Sequence, residues 1–319
     1  MVMTDKEIYR ILCGVELSIP VYSRDWWLDC VCGDKWEVFL YMNGSVVEAA
    51  MLVYVPCEGV IMMPPYSQTL GVWFNPVFED ARYSKELYRK RFICDYFISR
   101  LPRVRSFSIN FHYSFTDWLP FYWRGFSQTT RYTYVFPSIS NLDEMDLGLN
   151  DNVKRNRRKA KERYGLEVKR GVSADVFLKV NSQTYERQGR RMYCPDVLRD
   201  LIDVSCKRSQ GDIWGAYDGE GRLHAAVFIV WQEGCAYYIA GGADPELRKS
   251  GAHALVMWEA ICDVAKVSSS FDFEGSMIEG VERFFREFGA IQMPYFVLSK
   301  GRGRITDRIR SFLKRRFVP

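Results

Sequence analysis

The residues best suited to chemistry lie in two short stretches of the second half. In the run Ser270-Phe-Asp-Phe-Glu-Gly-Ser276, strand alternation puts Asp272 and Glu274 on the side opposite Phe271 and Phe273. Two carboxylates sharing a side can take up or hand on a proton, or they can cap the helix that follows. Upstream, Tyr237 and Tyr238 sit in an apolar strand that runs into Ala240, Gly241 and Gly242. A loop with Pro245, Arg248, Lys249, Ser250, Gly251 and Ala252 comes next, and then Leu255, Trp258, Ile261 and Cys262 recur at helical spacing. The first turn of a helix leaves its amides unpaired, so a strand, loop and helix in this order make a candidate anion site.

These stretches need a scaffold of alternating strands and helices. Ser276 with Glu279 three residues later fits a capping box, and Gly289 fits a helix stop. Val281, Phe284, Phe285 and Phe288 form the apolar face of that helix, and a strand over 291–298 follows. Before the tyrosines, strands over 213–217, 223–231 and 235–240 join through turns at 218–221 and 232–234 as an antiparallel meander. A strand over 166–170, a helix over 173–188 and a helix opened by Pro195 precede the meander. The pattern predicts an α/β protein with mixed, mostly antiparallel sheets flanked by helices.

The chain has 319 residues, 48% hydrophobic and 26% charged, which suits two globular domains and excludes disorder. The N-terminus has no apolar signal region, and the longest plain apolar run, 225–231, is too short to cross a bilayer, so a cytoplasmic protein without a transmembrane segment is expected. Nine scattered cysteines read as reduced core thiols, and three distant histidines give no metal site. The net charge of +5 is concentrated. Between 154 and 163 stand seven cations against Glu162, with only Val153, Ala160 and Tyr164 as an apolar stripe. Such a helix is either a solvated link between domains or a contact for tRNA, a lipid headgroup or a nucleotide phosphate, through Lys154, Arg157, Arg158 and Lys161. A second basic cluster spans Lys300, Arg302, Arg304, Arg308, Arg310, Lys314, Arg315 and Arg316.

The first half opens with helices over 4–13 and 23–31 and a hairpin turning at Asn43-Gly44. In the irregular stretch 59–76, Tyr66, Gln68 and Trp73 either line a substrate groove or anchor a packed loop. A helix over 81–100, a strand over 104–111, a helix over 116–123 and a strand over 129–136 repeat the order seen around Asp272. An offset of 164 relates Ser106, Phe107, Phe121, Gly125 and Gln128 to Ser270, Phe271, Phe285, Gly289 and Gln292. Two related domains follow, 1–145 and 146–319. Ser108 and Asn110 stand where the second copy has Asp272 and Glu274, so the second domain is the catalytic candidate and the first shapes a groove.

The meander, the Arg248-x-x-Gly251 loop and the helix, strand, helix and strand that follow resemble the GNAT acyltransferase fold. The doubled domain, the basic helix and the runs from Tyr237 to Leu255 and from Phe271 to Ala290 are similar to its FemAB-like branch, which includes nonribosomal peptidyltransferases. The resemblance implies transfer of an acyl or aminoacyl group from a thioester or ester to a small-molecule or peptide amine. It implies that Ala240–Gly242 and Arg248–Ala252 hold the pyrophosphate of acyl-CoA. His253 stands where the family carries a small residue, a departure that sets aminoacyl-tRNA beside acyl-CoA as the donor. In such a reaction Glu274 or Asp272 would take the amine proton, amides near Ala240–Gly242 would face the oxyanion, and Tyr238 or Tyr237 would protonate the leaving group. The other reading is a noncatalytic module that binds RNA or another polyanion with a decayed donor site.

Overall fold

The structure is a computed structural model and describes residues 3–80, 82–187 and 189–301. The basic positions from Arg302 onward lie outside the described residues. The chain divides into two compact units. One runs to Arg131 and takes in the chain from Pro294, and the other is Tyr132–Met293. The division falls before the 145/146 boundary read from the sequence, because strands rather than a linker carry the chain across it.

Unit 1 begins with helices α1 (Asp5–Val15) and α2 (Asp25–Cys32). Thr4 and Glu7 form a reciprocal capping box at the start of α1. The hairpin β1 (Trp36–Asn43) and β2 (Val46–Cys57) turns at Gly44, at φ +61°, as the Asn-Gly pair requires. Then come β3 (Val60–Met62), β4 (Gly71–Phe74), α3 (Tyr83–Arg100), β5 (Ser106–Asn110), α4 (Leu119–Trp123) and β6 (Ser127–Phe136). β2 pairs antiparallel with β1, β3 and β4, whereas β3 pairs parallel with β5 at only two positions.

Unit 2 takes up the end of β6 and continues with α5 (Leu142–Gly148), α6 (Asp151–Arg158), β7 (Glu167–Arg170), α7 (Ala174–Arg187), α8 (Pro195–Lys207), β8 (Gly211–Tyr217), β9 (Leu223–Trp231), β10 (Ala236–Ala243), α9 (Ala252–Val264), β11 (Phe271–Asp272) and α10 (Glu279–Glu287). α6 runs directly into a π-helical turn, Lys159–Arg163. The sheet runs antiparallel through β7, β8, β9 and β10, then parallel from β10 to β11, then antiparallel to β6. β9 is apolar on both faces because both are covered. Val227, Ile229 and Trp231 join the cluster around α9, and Phe228 meets Phe177 of α7 at 6.2 Å. The last strand, β12 (Ile291–Gly301), leads the chain back to unit 1, where it pairs antiparallel with β5.

The repeat holds in the pairings. Phe136 faces Phe271 in unit 2 and Lys300 faces Phe107 in unit 1, and both pairs are related by the same offset of 164. Gly125 and Gly289, which end the helices of the two copies, have φ of +78° and +83°.

Three expectations change. α10 starts at Glu279, so Glu279 cannot serve as the third helical residue of a capping box; instead the Ser276 hydroxyl accepts the Ile278 amide at 3.0 Å. Trp73 is not a groove wall, because it is buried on β4 with its indole donating to Ser18 Oγ at 3.1 Å. Gln68 is also buried, its carbonyl accepting Asn110 Nδ2 at 2.9 Å, while Tyr66 is half-exposed in a left-handed backbone at φ +53°. Of the nine cysteines, all reduced, Cys32, Cys94 and Cys235 are buried but Cys57 and Cys206 are exposed.

Candidate active site

β10 and β11 stay paired for only two residues, Ala236 with Phe271 and Tyr237 with Asp272. Beyond that point the two strands separate, and β10 carries a bulge between Tyr238 and Ala240 in its pairing with β9. A parallel pair that opens in this way leaves a cleft in the sheet whose near wall is the end of β10. α7 covers that edge. Asn181 Nδ2 donates to the Gly241 carbonyl at 2.7 Å, and the Ala243 amide donates to Thr184 Oγ1 at 3.1 Å. A Cβ on Gly242 would come within 2.6 Å of the Val180 carbonyl and 2.7 Å of the Asn181 backbone, so only glycine lets α7 approach so closely.

Tyr238, half-buried on β10, lies beside this opening. A Cβ on Gly241 would collide with its hydroxyl and reach His253 Cε1 at 3.1 Å, which puts both side chains over Gly241. The Tyr238 ring meets Phe285 edge-on at 5.8 Å, and the His253 ring meets Phe284 at 5.1 Å, so α10 closes the other side. Burial raises the Tyr238 hydroxyl above its usual range, and Tyr185 and Glu274 raise it further. It therefore stays protonated at neutral pH and acts as a donor. Burial lowers His253 to about 4, which keeps it neutral.

The two acids do not share a strand face. β11 ends at Asp272, and Glu274 stands in the left-handed region at φ +61°, so the alternation on which the pairing rested stops between them. Asp272 is buried, its Oδ1 accepting the Thr133 hydroxyl and the Glu274 amide, the latter at 2.7 Å. Burial pushes its carboxyl up to about 6, against the pull of both donors. Asp272 thus fixes the turn, and the half-exposed Glu274 is left near Tyr238.

The loop before α9 is crowded by the protein itself. Gly251, at φ +85°, has the Asn156 carbonyl of α6 where a side chain would point. Ser250 Oγ accepts the Ala252 amide at 3.3 Å, the Ser250 amide donates to the Leu247 carbonyl at 3.0 Å, and Lys159 Nζ donates to the Lys249 carbonyl. A pyrophosphate needs open amides and no facing acceptor oxygen. Two of the loop amides, those of Ser250 and Ala252, are thus met within the protein, while Arg248 and Lys249 remain exposed and Arg248 lies close enough to Arg187 to lower its pKa further, after burial.

Among the basic-helix residues, Arg157 is taken by Asp146 and stacks over Trp258 with its guanidinium 4.4 Å from the ring centre. Lys154 donates to the Leu147 carbonyl at 2.9 Å, and Lys161 pairs with Glu259 at 2.7 Å. Arg158 is exposed, with no ion pair among the described residues. Sequence reasoning missed Asn181, Thr184 and Tyr185 as walls of the cleft. Their spacing on one face of a helix was the available signal.

Residues 149–286 match the family of acetyltransferase (GNAT) domains. The match covers less than half of the chain. Strands β7 to β11 and the opening between β10 and β11 fall inside it. FemX is similar with a TM-score of 0.68 at 12% identity, over 97% of this chain and 98% of that one. The C-terminal domain of a putative lysylphosphatidylglycerol synthetase from Agrobacterium fabrum gives 0.55 at 9% identity over 88% and 89%. L-PGS from Bacillus licheniformis gives 0.51 at 11% identity over 89% and 90%. The fold is similar to that of FemX. No curated protein matches the chain. Among the described residues no cluster of His, Cys, Asp or Glu is arranged to hold a metal, and no helix is long and apolar enough to cross a membrane.

Proposed function

We propose that the GNAT domain of unit 2 transfers an aminoacyl group from an ester donor of the aminoacyl-tRNA type to an amine on a small molecule or peptide. The observation that favours this choice of donor is the crowding at Gly251, where the Asn156 carbonyl packs against the glycine and the Ser250 hydroxyl takes the Ala252 amide. The exposed cations Arg158, Arg248 and Lys249 suit an RNA backbone better than a single pyrophosphate. In the reaction the amine nitrogen attacks the ester carbonyl, a C–N bond forms and the C–O bond to the ribose breaks. Glu274 takes the proton from the attacking amine and the Tyr238 hydroxyl gives one to the departing ribose oxygen. Return of a proton from Glu274 to Tyr238 restores both groups.

The test supplies lysine-bearing peptides with either bulk tRNA charged with labelled amino acids or labelled acetyl-CoA. Label should enter peptide from the charged tRNA. Equal transfer from acetyl-CoA would overturn the donor, and transfer from neither would leave a module that binds without catalysis.

A further inference from the structure

His253, in the first turn of α9, is a polar ring that the protein gives no polar partner. It is half-exposed, and neither nitrogen is hydrogen-bonded among the described residues or sealed from a ligand. Packing alone orients it, through an edge contact with Phe284 at 5.1 Å and 86° between the ring planes. The ring atom that meets the space above Gly241 is Cε1, 3.1 Å from where a Cβ would stand. Cε1 is bonded to both nitrogens, so the polar edge of the ring is the one turned to β10. Above the same glycine stands the Tyr238 hydroxyl, which is also unpaired among the described residues and also open.

A side chain that only filled this space could be leucine. Polar atoms left unmet cost free energy once a ligand displaces their water, so the pair calls for a ligand with polar groups of its own. A neutral imidazole has one N–H and one bare nitrogen, and no protein group here fixes which is which. The ring carries no charge to offset a phosphate or a carboxylate, because burial keeps it neutral. What suits the pair is two oxygens on neighbouring atoms, one that receives the Tyr238 proton and one hydroxyl that donates to the ring. An aminoacyl ester of ribose has that pattern, since the ester oxygen leaves one carbon and a free hydroxyl stands on the next.

We propose that His253 selects the sugar of the donor, its bare nitrogen accepting the ribose hydroxyl that adjoins the departing ester oxygen. The contact presents that oxygen to Tyr238 and is lost when the sugar is deoxyribose. His253 moves no proton in this role. The inference rests on the aminoacyl-ester reading of unit 2 and adds to it a preference between sugars.

The experiment compares transfer to a lysine-bearing peptide, on the full chain, from one charged tRNA whose last nucleotide is adenosine, 2′-deoxyadenosine or 3′-deoxyadenosine. The adenosine-ended donor should exceed the better deoxy donor about tenfold or more in kcat/KM. His253→Leu, with its folding checked by circular dichroism, should remove that margin, and His253→Asn or His253→Gln, which put an amide near one or other ring nitrogen, should restore part of it. In the wild type, uncharged tRNA should shield His253 from diethylpyrocarbonate, read by peptide mass. Equal transfer from ribose and deoxyribose donors, or a margin that survives His253→Leu, overturns the proposal and leaves the aminoacyl-ester reading in place. Absence of shielding at saturating tRNA overturns it without recourse to a variant. A wild type that transfers from no charged tRNA sinks both readings.

Discussion

Glu274 holds a left-handed backbone that costs a residue with a Cβ roughly 1–2 kcal/mol, and the Asp272 carboxylate offsets that cost by accepting its amide. A residue kept in strain beside a cleft is expected to have a use. Glu274→Gly should therefore raise the unfolding free energy by up to about 1 kcal/mol while lowering turnover by about a hundredfold or more. Glu274→Gln should lose the turnover without the gain in stability. Melting curves and rates on one preparation decide it, and full turnover in either variant would remove Glu274 from the chemistry. Asp272 gives a pH test. Its carboxyl is raised to about 6 in the fold from an unfolded value near 3.8, so the native state binds more protons between those values and stability falls as pH rises from about 4 to 6. Asp272→Asn should lack that fall, which melting temperatures of both proteins across this pH range would reveal. Parallel pH profiles for the two would contradict the buried, raised carboxyl.

At the scale of elements, α6 is divided by partner rather than by sequence. Arg157, stacked on Trp258 and paired with Asp146, belongs to the core of unit 2, whereas Arg155 and Arg158 face solvent. Arg157→Glu should cost about 1–3 kcal/mol of stability through lost stacking and an unpaired charge. Reversing Arg155 and Arg158 should leave melting unchanged and weaken tRNA retention on a filter; the opposite outcome would return the exposed face to a plain solvated helix. The stripe of Val153 and Ala160 was legible from spacing alone, and both are buried. Which cations would find acids was not, since Asp146 and Glu259 are brought in by packing. The same holds at the cleft. The meander, the Asn43-Gly44 turn and α9 follow from local pattern, but β11 is only two residues long because its neighbours diverge, and no periodicity within Ser270–Ser276 records that. Asn181 and Tyr185 were hidden for the same reason, as their partners on β10 are distant in sequence.

Over the whole molecule, the repeat at 164 was readable because identical residues recur in matching elements, and the pairings carry it to the register of β12 on β5 and β6 on β11. What the repeat does not state is that the strand after each helix completes the other unit. Unit 2 is continuous, whereas unit 1 lacks the strand on β5 unless the chain from Pro294 is present. A fragment of residues 132–293 should accordingly melt cooperatively by circular dichroism, whereas 1–131 should not unless 294–301 is restored to it. A cooperative transition in 1–131 alone would show that β5 needs no partner on that edge.

The placement of β12 also sets an order in time. A ribosome releases β5 long before Val297–Gly301, the residues that pair with it. Through most of synthesis the first half must wait with an open strand edge, the state in which chains adhere to one another. Residues 132–293 form one continuous unit, so the half that is made second is expected to be finished first.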